Sequence, residues 1–328
     1  MLCAQDNNTS DQDLRPGPAI FLKPLRLRTI FFATVVFLLL FSSGNAWSQA
    51  AVVDSGLKQP IIRYDSIHHP VKGRYGMVVS QNSIATQVGQ DILARGGNAV
   101  DASVAVGFAL AVTLPRAGNL GGSGFMLAHM AAEKKTVAYD YRSRAPLAAS
   151  IEKYSNADGE LNWDRLTFGP MAPAVPGTVA GLYEAWQQFG SMPWKDILQP
   201  AYQLAEEGIE VGHDLAHVLN MASQVLNHYS NGSAYLKQDG EPWQAGDTLV
   251  QKDLAWSIAQ IMEHGASAFY EGELASRIVK AFGDAGGILN QEDLSAYTVK
   301  QRTPVSTKYR GKWVISMPPV SGGGVTLI

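Results

Sequence analysis

A helix that is apolar on every side can exist only if other elements surround it, and residues 99–114 spell one. Val100, Val104, Val106, Phe108, Leu110 and Val112 are separated mainly by Ala and Gly. Asn98 stands where an N-cap belongs, and Pro115 marks the end. The chain must therefore supply layers around this segment, and its 328 residues suffice for one large domain or two ordinary ones. A hydrophobic fraction of 46% with only 17% charged residues excludes disorder over most of the chain.

The surrounding pattern alternates helices and short strands. Met77–Ser80 reads as a strand. Ala85–Arg95 puts Ala85, Val88, Ile92 and Leu93 on one helical face, and Gly96-Gly97 stops it. Phe125–Leu127 and Thr136–Tyr141 read as a hairpin around Glu133-Lys134-Lys135. Thr178–Phe189 is an amphipathic helix. Trp194–Glu207 is another, in which Pro200 predicts a kink. Residues 211–290 read as mostly helical with a loop over 230–247, and Trp313–Met317 as a late strand. No internal repeat is found. The alternation predicts a sheet covered by helices, in the α/β or α+β class.

Charge and cysteine usage exclude further classes. Lys plus Arg is 26 and Asp plus Glu is 29, a net charge of −3, so no basic excess points to nucleic acid. The single cysteine, Cys3, rules out a disulfide framework and a cysteine-based metal site. At the N-terminus, Lys23, Arg26 and Arg28 precede the 12-residue apolar run Ile30–Phe41. That run is short for a transmembrane helix, which needs about 20 residues. It suits a signal-peptide core, and Ala46-Trp47-Ser48 gives small residues for cleavage near Ser48–Ala50. An uncleaved signal anchor is the alternative. Both readings export the remainder, to a periplasm or the cell exterior, with a possible membrane attachment. Residues 1–49 are thus set apart from a domain over 50–328.

Three segments carry candidate chemistry. Gly118, Gly121, Gly122 and Gly124 fall within seven residues between the buried helix and a strand. Such a loop either wraps a ligand with backbone N–H groups or makes a tight crossing. It lacks the Gly-Lys-Ser/Thr ending of a phosphate loop. Arg142 and Arg144 lie at a strand end, where a guanidinium can clamp a carboxylate through two parallel hydrogen bonds, or where both can simply be solvated. His213 and His217, with Asp214, have helical metal-ligand spacing but no Glu beside the first His, and exposed helix-face histidines are the plainer reading. His68-His69-Pro70 receives no role. No G-x-S-x-G elbow is present.

Several blocks together resemble the N-terminal part of γ-glutamyltranspeptidases (glutathione hydrolases). They are Ala85-Thr86-Gln87-Val88-Gly89, Gly96-Gly97-Asn98-Ala99-Val100-Asp101-Ala102 and Ala117-Gly118-Asn119-Leu120-Gly121-Gly122, then Asp140-Tyr141-Arg142 with Ala145-Pro146. Val175–Gly181, Tyr309-Arg310-Gly311, Met317-Pro318-Pro319 and Ser321-Gly322-Gly323 complete the series in family order over 65–328. The resemblance implies an α+β N-terminal-nucleophile hydrolase, a four-layer αββα sandwich of which this chain is the large-subunit part only. It implies a zymogen that cuts itself before a threonine. The freed threonine, activated by its own α-amine, takes the γ-glutamyl group and passes it to water, an amino acid or a dipeptide. Glutathione and other γ-glutamyl compounds are the implied substrates, the C-terminal small subunit the implied partner, and no cofactor or metal is implied. Arg142 matches the arginine that grips the glutamyl α-carboxylate. Two positions depart from the pattern: Ser143, where the family often has Glu, and Ser123, where many members have Gly.

The chain reads as ending before the self-cleavage site. No catalytic residue is therefore expected in it, and Thr178, Thr303 and Thr326 stand in no matching context. A cephalosporin-type acylase of the same superfamily and a non-catalytic truncated product are the alternative expectations.

Overall fold

The structure is a computed structural model that describes residues 72–229, 235–237 and 239–328. The signal segment expected within 1–49, and His68-His69, lie outside the described residues.

Asn82 caps helix α1 (Ser83–Ala94), its side chain accepting the N–H groups of Ile84 and Ala85 at 2.9 and 3.1 Å. Helix α2 (Ala99–Thr113) is the apolar segment. Asn98 accepts from Val100 and Asp101, while the Asp101 carboxylate accepts the Asn98 N–H at 2.9 Å. Val104, Phe108 and Val112 are fully buried, as an all-round apolar face requires. Asp101 is also 0% exposed. Its charge is tolerated because it further accepts the Ser191 N–H at 3.0 Å and the Ser191 hydroxyl at 2.6 Å.

Strands β1 (Gly124–Met130) and β2 (Lys135–Tyr141) form an antiparallel hairpin in which Gly124 faces Tyr141. A 3₁₀ turn (Glu152–Tyr154) and α3 (Trp163–Thr167) lead to α4 (Thr178–Phe189) and α5 (Trp194–Glu207). Helix α5 runs on through Pro200. Strand β3 (Ile209–Glu210) pairs with β4 (Thr248–Leu249), with α6 (His213–Tyr229) between them in sequence. Then come α7 (Lys252–His264), α8 (Ser267–Tyr270), α9 (Glu273–Asp284) and α10 (Gln291–Ser295). Strand β5 (Lys300–Arg302) adds to the free side of β2, giving the sheet order β1-β2-β5. A separate hairpin, β6 (Val305–Tyr309) and β7 (Lys312–Ser316), precedes the short helix α11 (Gly322–Leu327).

An aromatic cluster ties the helices together. The Phe108 ring meets Trp194 edge-on at 5.7 Å, and Trp194 meets Tyr183 edge-on at 4.9 Å. The Trp194 indole N–H is satisfied by the Ile261 carbonyl at 2.8 Å, so α2, α4, α5 and α7 share one core.

One expected element differs. Met77–Ser80 has no ladder partner among the described residues. Half-buried Val78 and Ser80 do alternate with exposed Met77 and Val79, so the period of two is real. Val78 lies against Gly89 of α1 rather than beside a strand. Strand identity depends on pairing, and a local pattern cannot supply that.

Candidate functional site

The site grows from the end of β2. Successive side chains of a strand point to opposite faces. Tyr139 and Tyr141 are buried toward α4, where the Tyr139 hydroxyl bonds to Gln188. Asp140, Arg142 and Arg144, each two apart, share the other direction. Helix α4 begins against this strand end because Gly177 and Gly181 have no side chains. A Cβ on Gly177 would lie 2.1 Å from the Tyr141 carbonyl oxygen, and one on Gly181 would lie 2.2 Å from the Tyr141 ring.

The backbone of Arg142 is held on both sides. Its N–H donates to Asp140 Oδ1 at 3.1 Å, and its carbonyl accepts the Tyr297 hydroxyl at 2.8 Å. Asp140 is buried, and its other oxygen accepts from Arg302 Nε at 2.6 Å. Tyr297 stacks on Tyr270 at 5.6 Å. The Tyr270 hydroxyl donates to the Pro176 carbonyl at 2.9 Å and accepts the Ala180 N–H at 3.2 Å. Burial pushes the phenol of Tyr141 up to about 12. It pushes Tyr297 to about 12 as well, against the opposing pull of Arg144. Burial also raises Tyr270. These hydroxyls are therefore neutral donors across the physiological range.

In contrast to its backbone, the Arg142 guanidinium is exposed. It lies 5.9 Å from the Phe125 ring, and no carboxylate pairs with it among the described residues. Arg144 is pinned: Nη2 donates to the Thr298 carbonyl at 2.5 Å and to its hydroxyl at 3.1 Å, and the guanidinium lies 5.1 Å from the Tyr297 ring. Arg142, Arg144, Lys300 and Arg302 line a hollow of about 460 Å3 whose one acidic lining residue is Asp140. Such a surface binds anions, and a guanidinium does so with two aligned donors.

The other sequence candidates fall elsewhere. The glycine loop is a tight crossing. A Cβ on Gly118 would press on the Leu110 backbone at 2.7 Å, and the Gly122 carbonyl accepts the N–H groups of Gly177 and Thr178 at 2.9 and 3.1 Å. His213 and His217 are exposed on α6, and Asp214 pairs with Arg116 at 3.0 Å. No cluster able to hold a metal occurs among the described residues. Thr178 opens α4, Thr303 is exposed beyond β5, and Thr326 caps back onto the Gly322 carbonyl in α11.

Residues 85–328 match the family model for gamma-glutamyltranspeptidase. The chain belongs to the γ-glutamyltranspeptidase family. It is 42% identical over 311 residues to the glutathione hydrolase proenzyme of Escherichia coli strain K12, covering 94% of this chain and 52% of that protein. It is 37% identical over 263 residues to the acylase ACY 1 proenzyme of Pseudomonas sp. strain SE83, covering 78% and 47%. The crystal structure of Helicobacter pylori γ-glutamyltranspeptidase superposes with a TM-score of 0.76 at 40% identity, over 79% of this chain and 74% of that one. The α+β class is thus the transpeptidase fold, that of the N-terminal-nucleophile hydrolases. The chain spans about half the length of the curated relatives it matches.

The sequence marks Arg142 as a candidate but not the residues that hold its backbone. Asp140 lies inside the Asp140-Tyr141-Arg142 motif with no role marked for it, and the expectation from sequence does not include Tyr270, Tyr297, Lys300 and Arg302. Lys300 and Arg302 do carry a signal, the two-residue spacing of Asp140 and Arg142. Only the antiparallel register, with Asp140 opposite Lys300, makes the two rows neighbours.

Proposed function

We propose that this chain contributes the donor-carboxylate site of a γ-glutamyltransferase and glutathione hydrolase. The enzyme cleaves γ-glutamyl amides such as glutathione and hands the γ-glutamyl group to water, an amino acid or a dipeptide. The observation that carries the reading is the exposed guanidinium of Arg142, which has no carboxylate partner among the described residues, on a backbone fixed by Asp140 and Tyr297. It stands ready for the substrate's α-carboxylate. The nucleophile is a threonine of the C-terminal small subunit, made by self-cleavage of the proenzyme. Its hydroxyl attacks the γ-carbonyl, its α-amine takes the proton and returns it to the departing amine, and an acyl-enzyme remains for the acceptor. Domain residues 50–328 follow a 1–49 segment that exports the protein to the periplasm or cell exterior. The basic flank and apolar run Ile30–Phe41 support this. No helix among the described residues is long and apolar enough to cross a membrane.

The test is steady-state kinetics on a γ-glutamyl anilide, using a protein that carries these residues and continues to the relatives' full length. Arg142→Ala should lower kcat/KM by about tenfold or more, chiefly through KM, and Arg142→Lys by less. An unchanged specificity constant in Arg142→Ala overturns the assignment. Residues 1–328 alone should not turn over the substrate. A cephalosporin-type acylase is the second reading, favoured by the 37% identity to the ACY 1 proenzyme. It is distinguished by turnover of an acyl substrate that has no α-carboxylate and is indifferent to Arg142.

A further inference from the structure

The hollow around Arg142 holds more positive charge than one carboxylate requires. Asp140 is its one acidic lining residue, and both Asp140 oxygens are committed, to the Arg142 N–H and to Arg302 Nε. The Asp140 charge is therefore matched by Arg302. Arg142, Arg144 and Lys300 remain without a carboxylate partner among the described residues. A further acid, Glu184 on α4, is engaged by Gln301 at 2.8 Å. Gln301 alternates with Lys300 and Arg302 along β5, so Glu184 is approached from the opposite face of the strand.

Two of these cations are placed differently from Arg142. Nη2 of Arg144 is bound to Thr298 and the guanidinium lies over Tyr297, which fixes its orientation and leaves its other nitrogens without a hydrogen-bond partner among the described residues. Lys300 stands across the strand pair, opposite Asp140, with its ammonium exposed. A guanidinium held in place and an exposed ammonium in the same lining offer a second set of donors next to Arg142. A hollow of about 460 Å3 lies within the range of small-ligand pockets and has room for a ligand with two separated carboxylates.

We infer that Arg144 and Lys300 form a subsite for a second carboxylate, one borne by the leaving group of the γ-glutamyl donor. The inference rests on the assignment of the first carboxylate to Arg142. It narrows the substrate class to γ-glutamyl compounds whose departing amine is itself acidic, as in γ-glutamyl peptides, in preference to neutral amides. Ser143 favours this selectivity. It lies between the two arginines in the lining and adds no negative charge to the hollow.

A matched pair of chromogenic donors tests it: γ-glutamyl-4-nitroanilide and γ-glutamyl-3-carboxy-4-nitroanilide, which differ by one carboxylate on the leaving group. The readout is the ratio of their kcat/KM values, in a protein continuing to the relatives' full length. Arg144→Met and Lys300→Met should each lower the carboxylated-to-neutral ratio by roughly three- to tenfold, the range for a partly exposed charge-assisted contact. Lys308→Met, on the separate β6–β7 hairpin, should leave the ratio as it was. Should loss of the Thr298 contacts prevent Arg144→Met from folding, Lys300→Met decides the matter, because that side chain is exposed and makes no hydrogen bond or ion pair among the described residues. A ratio unchanged in every folded variant overturns the subsite. So does an equal fall in both kcat/KM values. Failure of the underlying assignment looks different: Arg142→Ala would then leave both donors unaffected.

Discussion

Helices α2, α4, α5 and α7 close around Phe108, Trp194 and Ile261, all nearly or fully buried, and no buried side-chain polar atom among the described residues lacks a partner. The β6–β7 hairpin is built on the opposite plan. Tyr309 is 60% and Trp313 65% exposed, and their rings face cations of the same hairpin, Arg310 at 5.2 Å and Lys308 at 4.9 Å. Both regions are rich in aromatic residues, so composition does not separate them. What separates them is whether the chain itself supplies the opposing layer. A two-stranded hairpin without one is marginal in water, whereas a helix packed on all sides carries stability for the whole unit.

The contrast is broken most severely at its buried end. Phe108→Ala should destabilise by about 3–5 kcal/mol through the lost burial and the cavity left beside Trp194, read as a lower denaturant midpoint at constant slope. Asp101→Ala should cost on the order of 2–3 kcal/mol, because it strands the N–H groups of Asn98 and Ser191. A loss below about 1 kcal/mol in either variant would mean that this region is not the stable one.

An alkaline titration sharpens the comparison with a smaller effect. Tyr139 and Tyr141 have their folded phenols raised from 10 to about 12 by burial, Tyr139 with a further push from Glu184. A group raised in the folded state favours folding fully below its unfolded value, and that contribution is lost as pH rises through the folded value. Stability should therefore hold up to pH 10 and fall between pH 10 and 12. Phenolate absorbance from these two residues should appear only in that upper window, together with loss of helical circular dichroism. The smallest effect is expected at the hairpin. Trp313→Ser should change stability by under about 1 kcal/mol while lowering the binding of a hydrophobic dye. A strong cooperative destabilisation there would show that the hairpin is part of the core after all.

Local chemistry made much of this fold legible. The caps at Asn82 and Asn98, the all-round apolar helix and the bounds of α4 and α5 follow from side chains within a few positions of one another. Strand β6 and the partnering of β5 were not legible. Their residues are mainly polar or charged, and β5 earns its place only by register with a strand more than 150 positions away. The same limit applies to the site. Arg142 is marked as a candidate by the motif around it, but Tyr297 holds its backbone from across the chain, and a tyrosine followed by threonine carries no local mark of that task. Met77–Ser80 shows the converse, a correct alternation with no partner to make it a strand.

The two-sided grip on Arg142 also bears on how flexible the binding element is before a ligand arrives. Ordering one residue's backbone takes about 1–2 kcal/mol of conformational entropy, and immobilising an arginine side chain up to about 2 kcal/mol more. With Asp140 on its N–H and Tyr297 on its carbonyl, the first loss is incurred when the protein folds. The carboxylate proposed to bind there would have only the rotamers of one side chain to freeze. The tip can search while the root stays still, so capture needs no rearrangement of the strand that carries it.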